Sequence, residues 1–140
     1  MTKILYEATA TATGGRDGRA RTSDGSFEVK LATPRELGGN GDGNNPEQLF
    51  ASGYSACFLG AMRLVSTRDG LSKVPADASV TATVGIGPRE HEGFGLRVKL
   101  AISLPGIGKD AAEALVAAAD KVCPYSHATR GNIEVAIEVA

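Results

Sequence analysis

Cys57 and Cys123 are the only two cysteines of this chain, and no other pair of residues in it points as directly to a specific chemistry. Cys57 lies within Tyr54-Ser55-Ala56-Cys57-Phe58, in a segment patterned as an apolar helix. Cys123 opens Cys123-Pro124-Tyr125-Ser126 at the foot of a second helix. They are 66 positions apart, and each falls on the stripe of its helix that apolar spacing turns toward a core. Two thiols able to meet inside a fold point either to thiol–disulfide redox chemistry or to a structural staple. A single helical cysteine is more often a small buried hydrophobe. Two of them on core faces weaken that reading for both.

A reactive thiol must ionise, and neither cysteine has local help. Cys123 sits near the negative end of its helix and Cys57 lies mid-helix. The cation must come from elsewhere. Arg16, in the turn Gly14-Gly15-Arg16-Asp17-Gly18, is the best candidate, because a guanidinium stays charged and can hold a carboxylate while facing a sulfur. Its plainer reading is a solvated turn residue. Glu47, in the first turn of the Cys57 helix, is either a carboxylate favoured by the positive helix end or an anchor for that arginine. About 15 Å of helix separates Glu47 from Cys57, so the two cannot easily share a site within one subunit. We infer a homodimer whose partner subunit supplies some of the groups.

The elements that position these residues follow from periodicity and punctuation. Ile4 to Thr13 alternates as a strand, Arg19 to Ser23 continues as a second, and Asp24-Gly25 marks a hairpin into Ser26 to Leu31. Pro34 to Asn45 reads as a glycine-rich loop, either plain connection or mobile lid. Asn45 is a helix cap, with Pro46 at N1 and Gln48 completing a capping box. The helix it opens is expected to run to about Asp69 and stop at Gly70. Gly53, Ala56, Cys57, Gly60, Ala61 and Leu64 form its close-packing stripe, which predicts a central helix. Ala78 to Ile86 and Gly95 to Leu104 are two further strands. Lys109 to Val122 is an amphipathic helix ended by Pro124, and Ile133 to Val139 is a last strand. The order β-β-β-α-β-β-α-β defines an α+β fold in a single domain spanning 1–140.

Composition excludes other classes. A net charge of −1 over 140 residues gives no footprint for nucleic acid or an anionic membrane. No segment reads as the ~20 apolar residues of a membrane span, and no signal-peptide block opens the chain. The expected location is cytoplasmic, where a lasting disulfide is unusual and a transient one catalytic. His91 and His127 lack metal-ligand spacing with the cysteines.

Four segments extend this reading: Ala8-Thr9-Ala10-Thr11-Ala12-Thr13-Gly14-Gly15-Arg16-Asp17-Gly18, Asn45-Pro46-Glu47-Gln48-Leu49-Phe50, Gly53-Tyr54-Ser55-Ala56-Cys57-Phe58 and Val122-Cys123-Pro124-Tyr125-Ser126. Together they resemble the organic hydroperoxide resistance (Ohr) proteins of the Ohr/OsmC superfamily, and the match runs along nearly the whole chain in order. The resemblance implies an intertwined homodimer with antiparallel sheets wrapped around two long central helices. It implies a thiol-dependent peroxidase in which Cys57 is peroxidatic, Cys123 resolving, Arg16 stabilises the thiolate and Glu47 holds Arg16. It also implies preference for organic and fatty-acid hydroperoxides over hydrogen peroxide, with electrons from dihydrolipoamide or a lipoylated protein and no metal or flavin. The alternatives are an OsmC-type relative with another peroxide or reductant preference, and a non-enzymatic dithiol redox sensor. A sensor needs an output surface such as a basic DNA-reading element, and the sequence carries none.

Overall fold

Alternating small and β-branched residues after position 9 begin the first sheet of the structure, a computed structural model that describes residues 2–140. Strands β1 (Ala10–Thr13), β2 (Arg19–Thr22) and β3 (Glu28–Lys30) pair antiparallel in that order. The strand expected from Ile4 is therefore shorter. The ladder ends at Ala10↔Thr22, one further main-chain bond runs from Ser23 N–H to Thr9 C=O at 2.8 Å, and Ile4, Leu5 and Tyr6 stand exposed. Asp24-Gly25 makes the expected turn, with Gly25 N–H donating to Thr22 C=O at 2.9 Å. The Pro34–Asn45 segment is built rather than slack. A 3-10 turn at Arg35–Leu37 and main-chain bonds from Ala32 N–H to Asn44 C=O (2.8 Å) and Gly41 N–H to Thr33 C=O (3.0 Å) close it on itself.

Contacts divide the chain into two compact units, the first ending at Leu49 and the second covering Phe50–Ala140. Helix α1 (Pro46–Arg68) opens in the first and continues through the second. Its capping box forms as expected. Asn45 Oδ1 accepts from Gln48 N–H at 2.9 Å, and Gln48 Oε1 accepts from Asn45 N–H at 3.0 Å. At the far end Gly70 adopts φ 65°, and Leu71 N–H reaches Ser66 C=O at 3.0 Å, the glycine-terminated close that a left-handed residue permits.

In the second unit β4 (Ser79–Pro88) and β5 (Phe94–Ser103) form an antiparallel hairpin, in register from Ser79↔Ser103 to Pro88↔Phe94. Helix α2 (Lys109–Val122) then carries the chain across, and β6 (Val135–Val139) returns parallel to β5. This corrects the expectation of purely antiparallel sheets. A helical crossover, not a tight turn, precedes β6, and a crossover permits parallel return. Val98, Leu100 and Ile102, alternating along β5, meet Ala112, Leu115, Val116 and Ala119 of α2 and Tyr54, Phe58, Ala61, Met62 and Val65 of α1 in one core.

Two expectations about α1 change. Its core face carries Tyr54, Phe58, Met62 and Val65 with Ala61 of the expected stripe, whereas Ala56, Gly60 and Leu64 of that stripe lie exposed. Within one chain α1 is covered on one side only. By length and composition it also reaches what a membrane span needs, because alanine, glycine and apolar residues outweigh its few charges. Its buried side belongs to the core of the second unit, which is the behaviour of a core helix.

Candidate active site

Arg16 sits on a 3-10 turn, Gly15–Asp17, that joins β1 to β2. The glycines make the turn possible. Gly14 and Gly15 take φ 73° and 60°, and a Cβ on Gly18 would lie 1.7 Å from the Thr13 carbonyl oxygen. Asp17 fixes the turn from the other side, its carboxylate accepting from the Thr33 N–H and hydroxyl, both at 3.0 Å. The Arg16 fork then grips Glu47 at two points. Nη1 donates to Oε2 at 2.9 Å and Nη2 to Oε1 at 2.7 Å. The Glu47 side chain is only 12% exposed. The Arg16 hydrogen bonds hold its carboxyl below the usual glutamate range, and the same bonds raise the guanidinium. Glu47 thus pairs with Arg16 while standing in the first turn of α1.

In the second unit the Cys57 and Cys123 sulfurs lie 3.6 Å apart as free thiols. Cys123 is fully buried, while Cys57 is partly exposed at the rim of the core. Two sulfurs at that separation need about 1.6 Å of approach to reach disulfide bonding distance. Burial pushes the Cys57 thiol up, and Cys123 adds to the rise. The Tyr125 backbone N–H acts against both. None of these three influences is a cation.

That N–H is available because of an element the sequence reading omits. Pro124 ends α2 as expected, but it also starts α3 (Pro124–Thr129), with Cys123 serving as C-cap of one helix and N-cap of the next. Tyr125 is thus a second helical residue, whose N–H has no acceptor inside its own helix. Proline at the first helical position was the signal that could have found α3. Three aromatic rings surround the same turn: Phe50–Tyr54, Phe50–Tyr125 and Tyr54–Tyr125, with centroids 6.1, 6.0 and 5.6 Å apart. The Tyr125 hydroxyl lies so close over Gly53 that a Cβ there would meet it at 2.7 Å. Among the described residues no group of three or more His, Cys, Asp or Glu side chains could hold a metal.

The second unit thus holds a partly exposed thiol set against a buried one, and the first an arginine charge-paired at a helix N-terminus. Comparison with known proteins gives the chain a lineage. The OsmC-like protein family model matches residues 39–138. The chain is 56% identical over 139 residues to an organic hydroperoxide resistance protein of Xanthomonas axonopodis pv. citri, covering 99% of this chain and 96% of that one. It is 42% identical over 144 residues to organic hydroperoxide resistance protein OhrA of Bacillus subtilis, covering 100% and 99%. A crystal structure of an organic hydroperoxide resistance protein from Legionella pneumophila superposes with a TM-score of 0.92 at 47% identity, covering 99% of each chain. The chain belongs to the organic hydroperoxide resistance (Ohr) group of the Ohr/OsmC superfamily.

Proposed function

We propose that this protein is a cysteine-based peroxidase that reduces organic hydroperoxides, fatty-acid hydroperoxides included, to alcohols as part of oxidative stress defence. The observation that carries the reading is the 3.6 Å thiol pair with one sulfur accessible and its mate buried. The Cys57 thiolate attacks the distal peroxide oxygen, the O–O bond breaks, and the leaving alkoxide takes a proton to become the alcohol. Cys57 is left as a sulfenic acid. The Cys123 thiol displaces water from it, forming the Cys57–Cys123 disulfide. An external dithiol, dihydrolipoamide or a lipoylated protein, reopens that bond by exchange and leaves as its own disulfide. No resident metal or flavin enters the cycle.

Arg16 supplies the positive charge that Cys57 needs, and Glu47 orients it. The two-point grip between them supports this assignment, since a guanidinium held on one edge keeps its other edge for a sulfur. The working form is a homodimer in the cytoplasm. The uncovered small-residue face of α1 and the exposed Ile4-Leu5-Tyr6 segment support a second copy. The accessible parts of the Phe50 and Tyr125 rings favour an alkyl or aryl peroxide over a small polar one.

The test is steady-state kinetics with dihydrolipoamide as donor, comparing cumene hydroperoxide with hydrogen peroxide. The expected result is turnover with a higher kcat/KM for cumene hydroperoxide. Equal or reversed preference would move the protein to a different peroxide specificity within the superfamily. Oxidation without turnover would make it a sensor.

A further inference from the structure

Beside the sulfurs lies a buried polar cluster that the chemistry above leaves without a role. The Tyr54 hydroxyl is 2.9 Å from Ser126 Oγ and 3.1 Å from Thr129 Oγ1, and the Thr129 hydroxyl also lies 3.2 Å from the Ser126 carbonyl oxygen, to which it donates. Tyr54 is fully buried, and Ser126 and Thr129 are 2% and 5% exposed. Three hydroxyls at the edge of an apolar core are costly to desolvate, and phenylalanine, alanine and valine would fill the same space. What the hydroxyls add is direction, since each finds its hydrogen-bond partner within the cluster. That arrangement is placed where direction matters. Tyr54 is one helical turn before Cys57 on α1, and Ser126 and Thr129 lie on α3, which starts from Cys123. The Tyr125 ring, closed down on Gly53, holds the same two helices together on another side of α3.

We propose that the Tyr54 hydroxyl is a positioning group for disulfide closure: through Ser126 and Thr129 it holds α3 on α1, so that Cys123 Sγ stays within reach of Cys57 once Cys57 is oxidised. The inference rests on the peroxidase reading above. A Cys57 sulfenic acid has two fates. Attack by the Cys123 thiol gives the disulfide and water, at a rate set by the geometry of the two helices. Attack on a second hydroperoxide gives the sulfinic acid and an alcohol, at a rate proportional to peroxide concentration. Loosening α3 slows the first fate and leaves the second, so more Cys57 is lost irreversibly.

The experiment treats reduced protein, without donor, with rising concentrations of cumene hydroperoxide and measures disulfide and Cys57 sulfinic acid by mass spectrometry of the intact chain and its peptides. Wild type, Tyr54→Phe, Thr129→Val and Thr129→Ser are compared at a temperature where circular dichroism shows each folded. Tyr54→Phe and Thr129→Val should raise the sulfinic fraction several-fold at equal peroxide, and Thr129→Ser, which keeps the hydroxyl, should restore the wild-type partition. A loss of stability alone would not follow that pattern. Wild-type partition in folded Tyr54→Phe or Thr129→Val would overturn the positioning role while leaving the peroxidase reading intact. A wild-type protein that forms no disulfide with the hydroperoxide would overturn the reading itself.

Discussion

A thiol pushed up by burial is a weak nucleophile near neutral pH, because the thiolate is the reacting species. Cys57 is such a thiol within its own unit, partly relieved by the Tyr125 N–H and further raised by Cys123. Its reactivity therefore depends on a charge brought to it. Replacing Arg16 by alanine should move the pH midpoint of Cys57 oxidation upward and lower the rate at pH 7 by at least about tenfold, with the rate recovering as the pH is raised. Stopped-flow oxidation across pH measures this, and an unmoved midpoint would show that the cation is another residue. The sign for Glu47 is the opposite. Its carboxyl titrates below the ordinary range, so the stability contributed by the Arg16 pair is present above the unfolded-state value and is lost as the pH falls through the lowered one. The cysteines divide the work more sharply. Cys57→Ser should reduce peroxidase turnover to background. Cys123→Ser should still be oxidised at Cys57 by one equivalent of hydroperoxide, form no intrachain disulfide and pass to the sulfinic acid with excess peroxide, and sustained turnover with a dithiol in that variant would remove the resolving role.

At the level of elements, the chain reads most clearly where local chemistry dictates the outcome. The Asn45–Gln48 capping box and Gly70 delimit α1, and apolar spacing delimits α2, because these signals act within a few residues. Strand lengths were less legible. Ile4 to Thr9 has the alternation of a strand, but the ladder with β2 begins only at Ala10, beyond a single bond from Ser23 N–H to the Thr9 carbonyl, and a strand exists only as long as its partner does. The parallel return of β6 and the hydroxyl cluster share one cause. Their partners are distant in sequence, Tyr54 meeting Ser126 and Thr129 across 72 and 75 positions, and no window along the chain contains both sides. For the Arg16–Glu47 pair, 31 positions apart, charge and helix position offer the anchor as one of two readings, and only the resemblance singles it out. The turn that carries Arg16 makes its own prediction. Gly18→Ala forces a methyl into the Thr13 carbonyl, so β1 and β2 must part at that end and the arginine must move. Activity should fall nearly as far as in Arg16→Ala, whereas Gly15→Ala, which meets nothing within 4 Å but must adopt φ 60°, should cost only about 1 kcal/mol of stability. Equal activity in both glycine variants would sink the argument.

For the molecule as a whole, the decisive quantity is what one chain leaves uncovered. Among the described residues of the unit ending at Leu49 only Leu31 and Ala32 are buried hydrophobic residues, although it contains a three-stranded sheet. A sheet without a covered face does not hold itself together in water. The same chain exposes Leu5 at 88%, Tyr6 at 83% and Leu64 at 54%, the last on the bare side of a 23-residue helix. Apolar surface of this kind is stabilised by burial at roughly 25 cal/mol per Å², and a self-complementary twofold contact is the commonest way for one chain to supply it. Light scattering should therefore give a particle of twice the 14.4 kDa chain mass. Its thermal midpoint should rise with protein concentration, because dissociation and unfolding are then linked. Leu64→Arg places a charge on the helix face that a partner would cover. It should shift the species toward monomer at micromolar concentration and lower the thermal midpoint, and peroxidase activity should fall in proportion if the partner completes the thiol site. A fully active 14.4 kDa monomer would mean that each chain holds its own arginine, thiolate and resolving thiol, and the bare side of α1 would need another explanation.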